Sequence, residues 1–216
     1  KNKDLNLSWD TEPRVKVALP LHTSKFDTYL DPLIPRILYL AEHSTHRRIR
    51  VVACELLHSL ILFMIGNNAQ AGRKRDSMPF SKIYQKLFPG IYRLAAEVEP
   101  VVQQVFEPLG KQLVRWFARS RGAEHPETVA LLDALMQGLC EESNAALRKI
   151  SASCIAEFAK EVLSQPQVLQ HFKSILRRIE TFANHPHTHK RMGAVACIRE
   201  ILPSLSLNQE LVDRFY

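Results

Sequence analysis

The chain has 216 residues, 46% of them hydrophobic and 24% charged, with 7 glycines, four cysteines and a formal net charge of +7. Such a composition supports a buried core and excludes general disorder, a collagen repeat and a disulfide scaffold. The longest apolar run, Leu60–Ile65, is far short of a membrane span, and 29 Lys and Arg against 22 Asp and Glu favour nucleic acid or acidic protein surfaces as partners.

Residues 1–29 show no sustained period, although Val15, Val17 and Leu19 alternate briefly. They are expected to form an irregular or extended arm with room for a short strand. From Asp31 onward the pattern is helical. Asp31 reads as an N-cap before Pro32, and Leu33, Ile34, Ile37, Leu38 and Ala41 make one apolar stripe. A longer helix is predicted from about Arg47 to Ile65, with Val52, Ala53, Leu56, Leu57, Leu60, Phe63 and Met64 inward and Gly66 as its C-cap. Residues 67–78 read as a polar, mobile loop carrying Arg73, Lys74 and Arg75, three cations that suit a phosphate or partner contact as well as a solvated loop.

Ile83, Leu87, Ile91 and Leu94 resume the helical period, and Pro89-Gly90 should break or kink it. Val101, Val102, Val105, Phe106, Leu109, Leu113, Trp116 and Phe117 follow, with Pro108 expected to bend that helix or begin a new one. Further stripes run through Val129–Leu139, Ile150–Val162 and Phe172–Phe182. His185-Pro186 then ends a helix before Val195, Ile198, Ile201 and Leu202.

Three helices share a marker. Arg48 precedes Cys54, Arg148 precedes Cys154, and Arg191 precedes Cys197, each by six residues and with a small residue before the Cys. The last two Cys lie 43 residues apart, while 100 residues separate the first two, room for one unmarked unit over Val101–Arg119. Helix pairs of about 40–47 residues are the unit of HEAT and armadillo arrays, which bury a core only by stacking. The expected fold is therefore all-α, a HEAT-like α-solenoid of about four helix pairs over residues 30–203. Residues 204–216, with Leu211, Val212, Phe215 and Tyr216, read as the start of a further, truncated repeat, so the chain looks like a piece of a longer array. No signal peptide is expected, and the four Cys sit in apolar stretches that suit buried thiols in a reducing compartment.

Catalytic patterns are not found: there is no phosphate loop, Gly-x-Gly-x-x-Gly, His-Arg-Asp, Asp-Phe-Gly or Gly-x-Ser-x-Gly. Cys54 and His58 lie one helical turn apart but read as core packing rather than a nucleophile and base. His185, His187 and His189 are the strongest metal candidates, yet they lack the Cys or carboxylate that would complete a tetrahedral set. No catalytic, cofactor-binding or metal residue is assigned.

Six blocks carry a resemblance: YLDPLIPRILYLA (Tyr29–Ala41), VACELLHSLILFMIG (Val52–Gly66), YQKLFPGIYRLA (Tyr84–Ala95), FEPLGKQLVRWF (Phe106–Phe117), TVALLDALMQG (Thr128–Gly138) and HPHTHKRMGA (His185–Ala194). In this order, beginning near SWDTEPRVKVALP (Ser8–Pro20), the chain resembles the N-terminal helical-repeat arm of the DNA-dependent protein kinase catalytic subunit family, a branch of the phosphatidylinositol-3-kinase-related kinases. It departs most visibly at residues 67–78, which look like a variable insertion. The resemblance implies a non-catalytic scaffold segment of a nuclear serine/threonine kinase. The family is recruited by the Ku heterodimer to broken DNA ends and acts in non-homologous end joining and V(D)J recombination. DNA ends and Ku are the implied partners, with no membrane and no small-molecule substrate for this segment. ATP and Mg belong to a kinase domain outside it. The alternative is a HEAT-type protein-binding adaptor in transport or phosphatase assembly, without a DNA role.

Overall fold

The computed structural model describes residues 8–9, 15–21, 24–71, 80–163 and 169–205. Its elements are strands β1 (Lys16–Leu21) and β2 (Ser24–Tyr29), then helices α1 (Ile34–His43), α2 (Arg47–Ala71), α3 (Ser81–Ala95), α4 (Pro100–Ser120), α5 (Pro126–Leu139), α6 (Ala145–Leu163), α7 (Leu169–Ala183) and α8 (Thr188–Leu205). Among the described residues the fold is all-α apart from one hairpin. The chain divides into two compact units, residues 1–83 and 84–216.

In the first unit β1 and β2 pair antiparallel, from Lys16 opposite Tyr29 to Leu21 opposite Ser24. The arm expected over 1–29 thus contains a hairpin. It is fastened to the helices that follow. Val15 donates its N–H to Asp31 Oδ2 at 2.8 Å, and Leu30 donates to Val15 O at 2.8 Å. Asp31 is therefore not the expected N-cap. Its buried carboxylate holds the strand entry, and α1 starts three residues later, after Leu33 and without a side-chain cap. The orphan N–H groups there are partly relieved by turn bonds from Leu33 to Leu30 O and from Ile34 to Asp31 O.

Helix α2 packs on α1 and runs through Gly66 to Ala71, so Gly66 is not a C-cap. Gly66 keeps a helical backbone, and residues 67–71 of the expected loop are helix; 72–79 lie outside the described residues. The buried face of α2 is Ala53, Cys54, Leu57, Leu60, Ile61 and Met64, while Val52 (61% exposed) and Leu56 from the expected stripe face outward. Residues 47–69 are long and apolar enough to cross a membrane by length and composition, with a mean hydropathy of 1.9 over their most apolar 18 residues. The short apolar run in the sequence understated this, because few charges interrupt the helix elsewhere. About a third of that stretch is buried, and α1 packs against the helix.

In the second unit α3 and α4 pack through aromatic rings. Phe117 meets Tyr84 and Phe88 edge-on at 5.6 and 5.7 Å, and Tyr92 donates its hydroxyl to Gly110 O at 3.4 Å. Pro89 and Pro108 sit inside α3 and α4 without ending either helix. The carbonyls that lose their donor belong to Gln85 and Gln104, both exposed residues. Beyond them, α5 pairs with α6 and α7 with α8, while α4, α6 and α8 lie against one another in that order. The second helix of each pair thus forms a continuous layer, the packing rule of a solenoid.

Two glycines allow close approaches of α5 to α8 and to α6. A Cβ on Gly193 of α8 would lie 2.0 Å from Leu139 O at the end of α5, and one on Gly138 would lie 2.2 Å from Ser151 Oγ of α6. The face of α8 that turns inward is accordingly Gly193, Ala194, Cys197, Ile201 and Ser204. The expected Val195 (63% exposed) and Leu202 point outward.

Candidate functional site

The polar side chains of these helices are used first to hold turns and seams. Arg148, in the first turns of α6, donates Nη1 to Glu141 O at 2.6 Å and to Glu142 O at 3.0 Å. Arg191, at the same place in α8, donates Nη1 to His185 O at 2.8 Å and to Pro186 O at 2.6 Å. Each guanidinium thus caps the carbonyls of the turn that precedes its own helix. In the first unit the equivalent donor is Arg50, whose Nε bonds Ala41 O at 3.0 Å, while Arg48 is exposed. Counted from each helix start, Arg50, Arg148 and Arg191 share one position. Counting back from the cysteine selects Arg48 instead, because α2 begins two residues later relative to its Cys.

The seams are bridged by ion pairs between helices one repeat apart. Arg115 Nε reaches Glu157 Oε2 at 3.0 Å, and Arg119 makes two bonds to Glu161, of 2.6 and 2.7 Å. Arg178 of α7 donates to Asp133 of α5 at 2.9 Å. Partial burial would push the Glu157 carboxyl up, but hydrogen bonds from Lys160 and Arg115 outweigh it and hold the group below its ordinary value. Periodicity reading missed these pairs. Their signal was present in the sequence as Arg115 and Arg119, four apart, answered by Glu157 and Glu161, also four apart.

A second polar cluster joins α4 to α5. Glu127 is fully buried at the start of α5, with Arg121 Nε at 3.9 Å and His125 Nδ1 at 3.8 Å from its carboxylate. Arg121 also lies 5.9 Å from the Trp116 ring centroid, a cation–π distance. His125 caps α5 by accepting the Glu127 N–H on Nδ1 at 3.3 Å, a role that requires this nitrogen to be unprotonated. Burial, with a contribution from Arg121, lowers its pKa in spite of Glu127.

Cys54, Cys154 and Cys197 are buried and Cys140 is half-buried, all as free thiols. Burial pushes Cys154 and Cys197 up to about 12, so both are held as inert thiols. Burial also raises Cys140, against the opposing charges of Lys190 and Arg178. His58 is half-buried on the same helix as Cys54, one turn further on.

The three candidate imidazoles do not converge. His185 and His187 stack with centroids 5.0 Å apart, and His187 and His189 with centroids 5.5 Å apart. Among the described residues no group of three or more His, Cys, Asp or Glu could hold a metal ion. Arg73, Lys74 and Arg75 lie outside the described residues.

Two depressions lie within the second unit. One of about 310 Å³ is lined by Lys111, Glu107, Lys149, Ser153 and Glu200 over a floor of alanines and Ile150. The other, about 430 Å³, has Val129, Leu132, Ile175 and Ala123 beneath Glu124 and Arg178. Their linings mix apolar and charged side chains.

Helix pairs in chain order, with seams sealed by glycines and inter-repeat ion pairs, define a helical-repeat segment of the solenoid type. Residues 78–216 match the family model described as DNA-dependent protein kinase catalytic subunit, CC1/2. Proteins named DNA-dependent protein kinase catalytic subunit from Dictyostelium discoideum, Xenopus laevis and Mus musculus are 38%, 35% and 34% identical to it over 97% of the chain. The chain belongs to this family, and it spans 5% of the length of each of those relatives.

Proposed function

We propose that this chain is a non-catalytic scaffold segment of a nuclear DNA-dependent serine/threonine kinase that acts in double-strand break repair by non-homologous end joining. In this reading it contributes to engaging DNA ends and the Ku heterodimer, and ATP and Mg serve a kinase domain elsewhere in the polypeptide. The observation that carries the reading is similarity over 97% of the chain to catalytic subunits of which it covers 5%. The net charge of +7 supports contact with a polyanion, and the polar groups described above are engaged in holding turns and seams.

Anisotropy titration of labelled duplex DNA at two salt concentrations tests the DNA role. Binding should be independent of sequence and should weaken steeply as salt rises, because phosphate neutralisation releases counterions. No binding at low salt would transfer the role to protein partners, as in a HEAT-type adaptor. The apolar depression under Val129 and Ile175 would then be the first place to look. A phosphotransfer assay with the purified chain should give background only, and turnover above it would overturn the scaffold reading.

A further inference from the structure

We propose that the His185–Arg191 turn is a contact for the phosphodiester backbone of duplex DNA that takes up protons as it binds. The inference rests on the DNA role proposed above and adds its location and its regulation.

The turn is built to present a fixed set of cationic groups. Arg191 ties its backbone down through His185 O, Pro186 O and, at 3.1 Å, Thr188 Oγ1. On this frame His185, His187 and His189 stack face to face, with His187 exposed and the other two half-buried. Lys190 Nζ stands 3.2 Å from His185 Nε2, while His185 Nδ1 takes the His187 N–H at 3.1 Å.

No ordinary protonation state of His185 satisfies both of its contacts. An ammonium and a backbone N–H are donors only, whereas a neutral imidazole has one acceptor nitrogen and an imidazolium has none. Protonated His185 would meet the Lys190 ammonium at 3.2 Å beside the two stacked rings, a repulsion that an anion would relieve. Burial and then Lys190, His187, His189 and Arg191 all lower the His185 pKa, in agreement with that repulsion.

The surroundings do not supply this positive charge. Arg177, Arg178 and Glu180 stand on the facing end of α7. Cys140, Glu141 and Glu142 follow α5, and Arg148 opens α6. With Asp133, the partner of Arg178, four carboxylates stand against three cations there, so the turn's positive charge comes from Lys190, Arg191 and the imidazoles alone. A phosphate backbone laid across them offers acceptors to the ring nitrogens and relieves the repulsion between His185 and Lys190. Binding and protonation are then linked, each favouring the other.

Anisotropy titrations of a labelled blunt duplex, at fixed ionic strength, test this with the whole chain. The chain should bind about tenfold more tightly near pH 6 than near pH 7.5, as uptake of about two-thirds of a proton across that interval requires. The triple variant His185→Gln, His187→Gln, His189→Gln should reduce that ratio to less than about twofold while keeping the salt-dependent binding at the higher pH. The double variant His187→Gln, His189→Gln leaves the His185 cap in place and should show most of the same loss, with helical circular dichroism intact. In proton NMR, histidine titrations should move to higher pH on adding the duplex in the parent chain. If the duplex binds without pH dependence, or both variants keep the full ratio, the turn is not the proton-linked contact, although the DNA role stands. If no duplex binds at low salt at either pH, both readings fall.

Discussion

Arg119 and Glu161 are 42 residues apart, and they meet through two parallel bonds of 2.6 and 2.7 Å across the seam between α4 and α6. One turn earlier Arg115 and Glu157 do the same at 3.0 Å, so the spacing of the charges equals the length of the repeat. Such pairs help to set which helix follows which, but exposed ion pairs stabilise weakly. Glu161→Gln should therefore lower the melting temperature slightly at low salt, and the difference from the parent chain should shrink at high salt. Equal loss at both salt concentrations would mean that the packing of Glu161, not its charge, matters.

The guanidinium caps give a sharper contrast. Arg148→Met and Arg191→Met each strand two turn carbonyls, and each should cost about 1–3 kcal/mol in urea denaturation. Arg48→Met should stay within about 0.5 kcal/mol, as expected for an exposed side chain, and Arg50→Met should behave like the caps. A large effect at Arg48 would overturn the assignment of Arg50 to this role.

Glycine substitutions separate close packing from helix propensity. Gly193→Ala drives a methyl group onto the Leu139 carbonyl, and overpacking against backbone should destabilise the chain by about 1–3 kcal/mol. Gly66→Ala meets nothing within 4 Å inside an exposed stretch of α2 and should stabilise it by about 0.5–1 kcal/mol. Thermal melts of the two variants should move in opposite directions.

Acid should loosen the fold through its histidines. Burial holds His125 below its ordinary value of 6.5, so the unfolded chain binds that proton more readily than the folded one. The stability this contributes is complete above 6.5 and is lost as the pH falls through 6.5 toward the lower folded value. Protonation also removes the nitrogen that caps α5. The urea midpoint should drop between about pH 7 and about pH 5.5, and less so in His125→Asn, which keeps a neutral acceptor at the cap.

Thiol reactivity provides an independent check on the core. Native chain should react with a thiol reagent first at half-buried Cys140, slowed there by its raised pKa, with Cys54, Cys154 and Cys197 modified only after unfolding. Fast modification of Cys154 in the native state would place the α6 face outside the core.

How far these features could be read from residues depends on what each one obeys. The large apolar stripes of α4, α6 and α7 were legible, since Phe106, Phe158 and Phe172 recur at helical spacing and all are fully buried. The inward face of α8 was not. Close approach to α5 demands Gly193 and Ala194, and small residues carry little hydrophobic signal. Asp31 failed as a cap because Val15, distant in sequence, claims its carboxylate. Pro89 and Pro108 failed as breakers, and the carbonyls they strand belong to exposed residues. The Arg marker was visible in the sequence, but only helix starts show which arginine does the capping in α2. The stacked imidazoles stood out as a cluster, while their face-to-face geometry depends on Arg191 fixing the turn.

The ordered layer of α4, α6 and α8 has a mechanical consequence. Because each pair leans chiefly on its sequence neighbours, tension along this part of the chain can peel pairs away one at a time. Each pair of about 43 residues would release roughly 140 Å of polypeptide when drawn out. Such a stretch yields stepwise under load and rewinds when released, so its elasticity is set seam by seam.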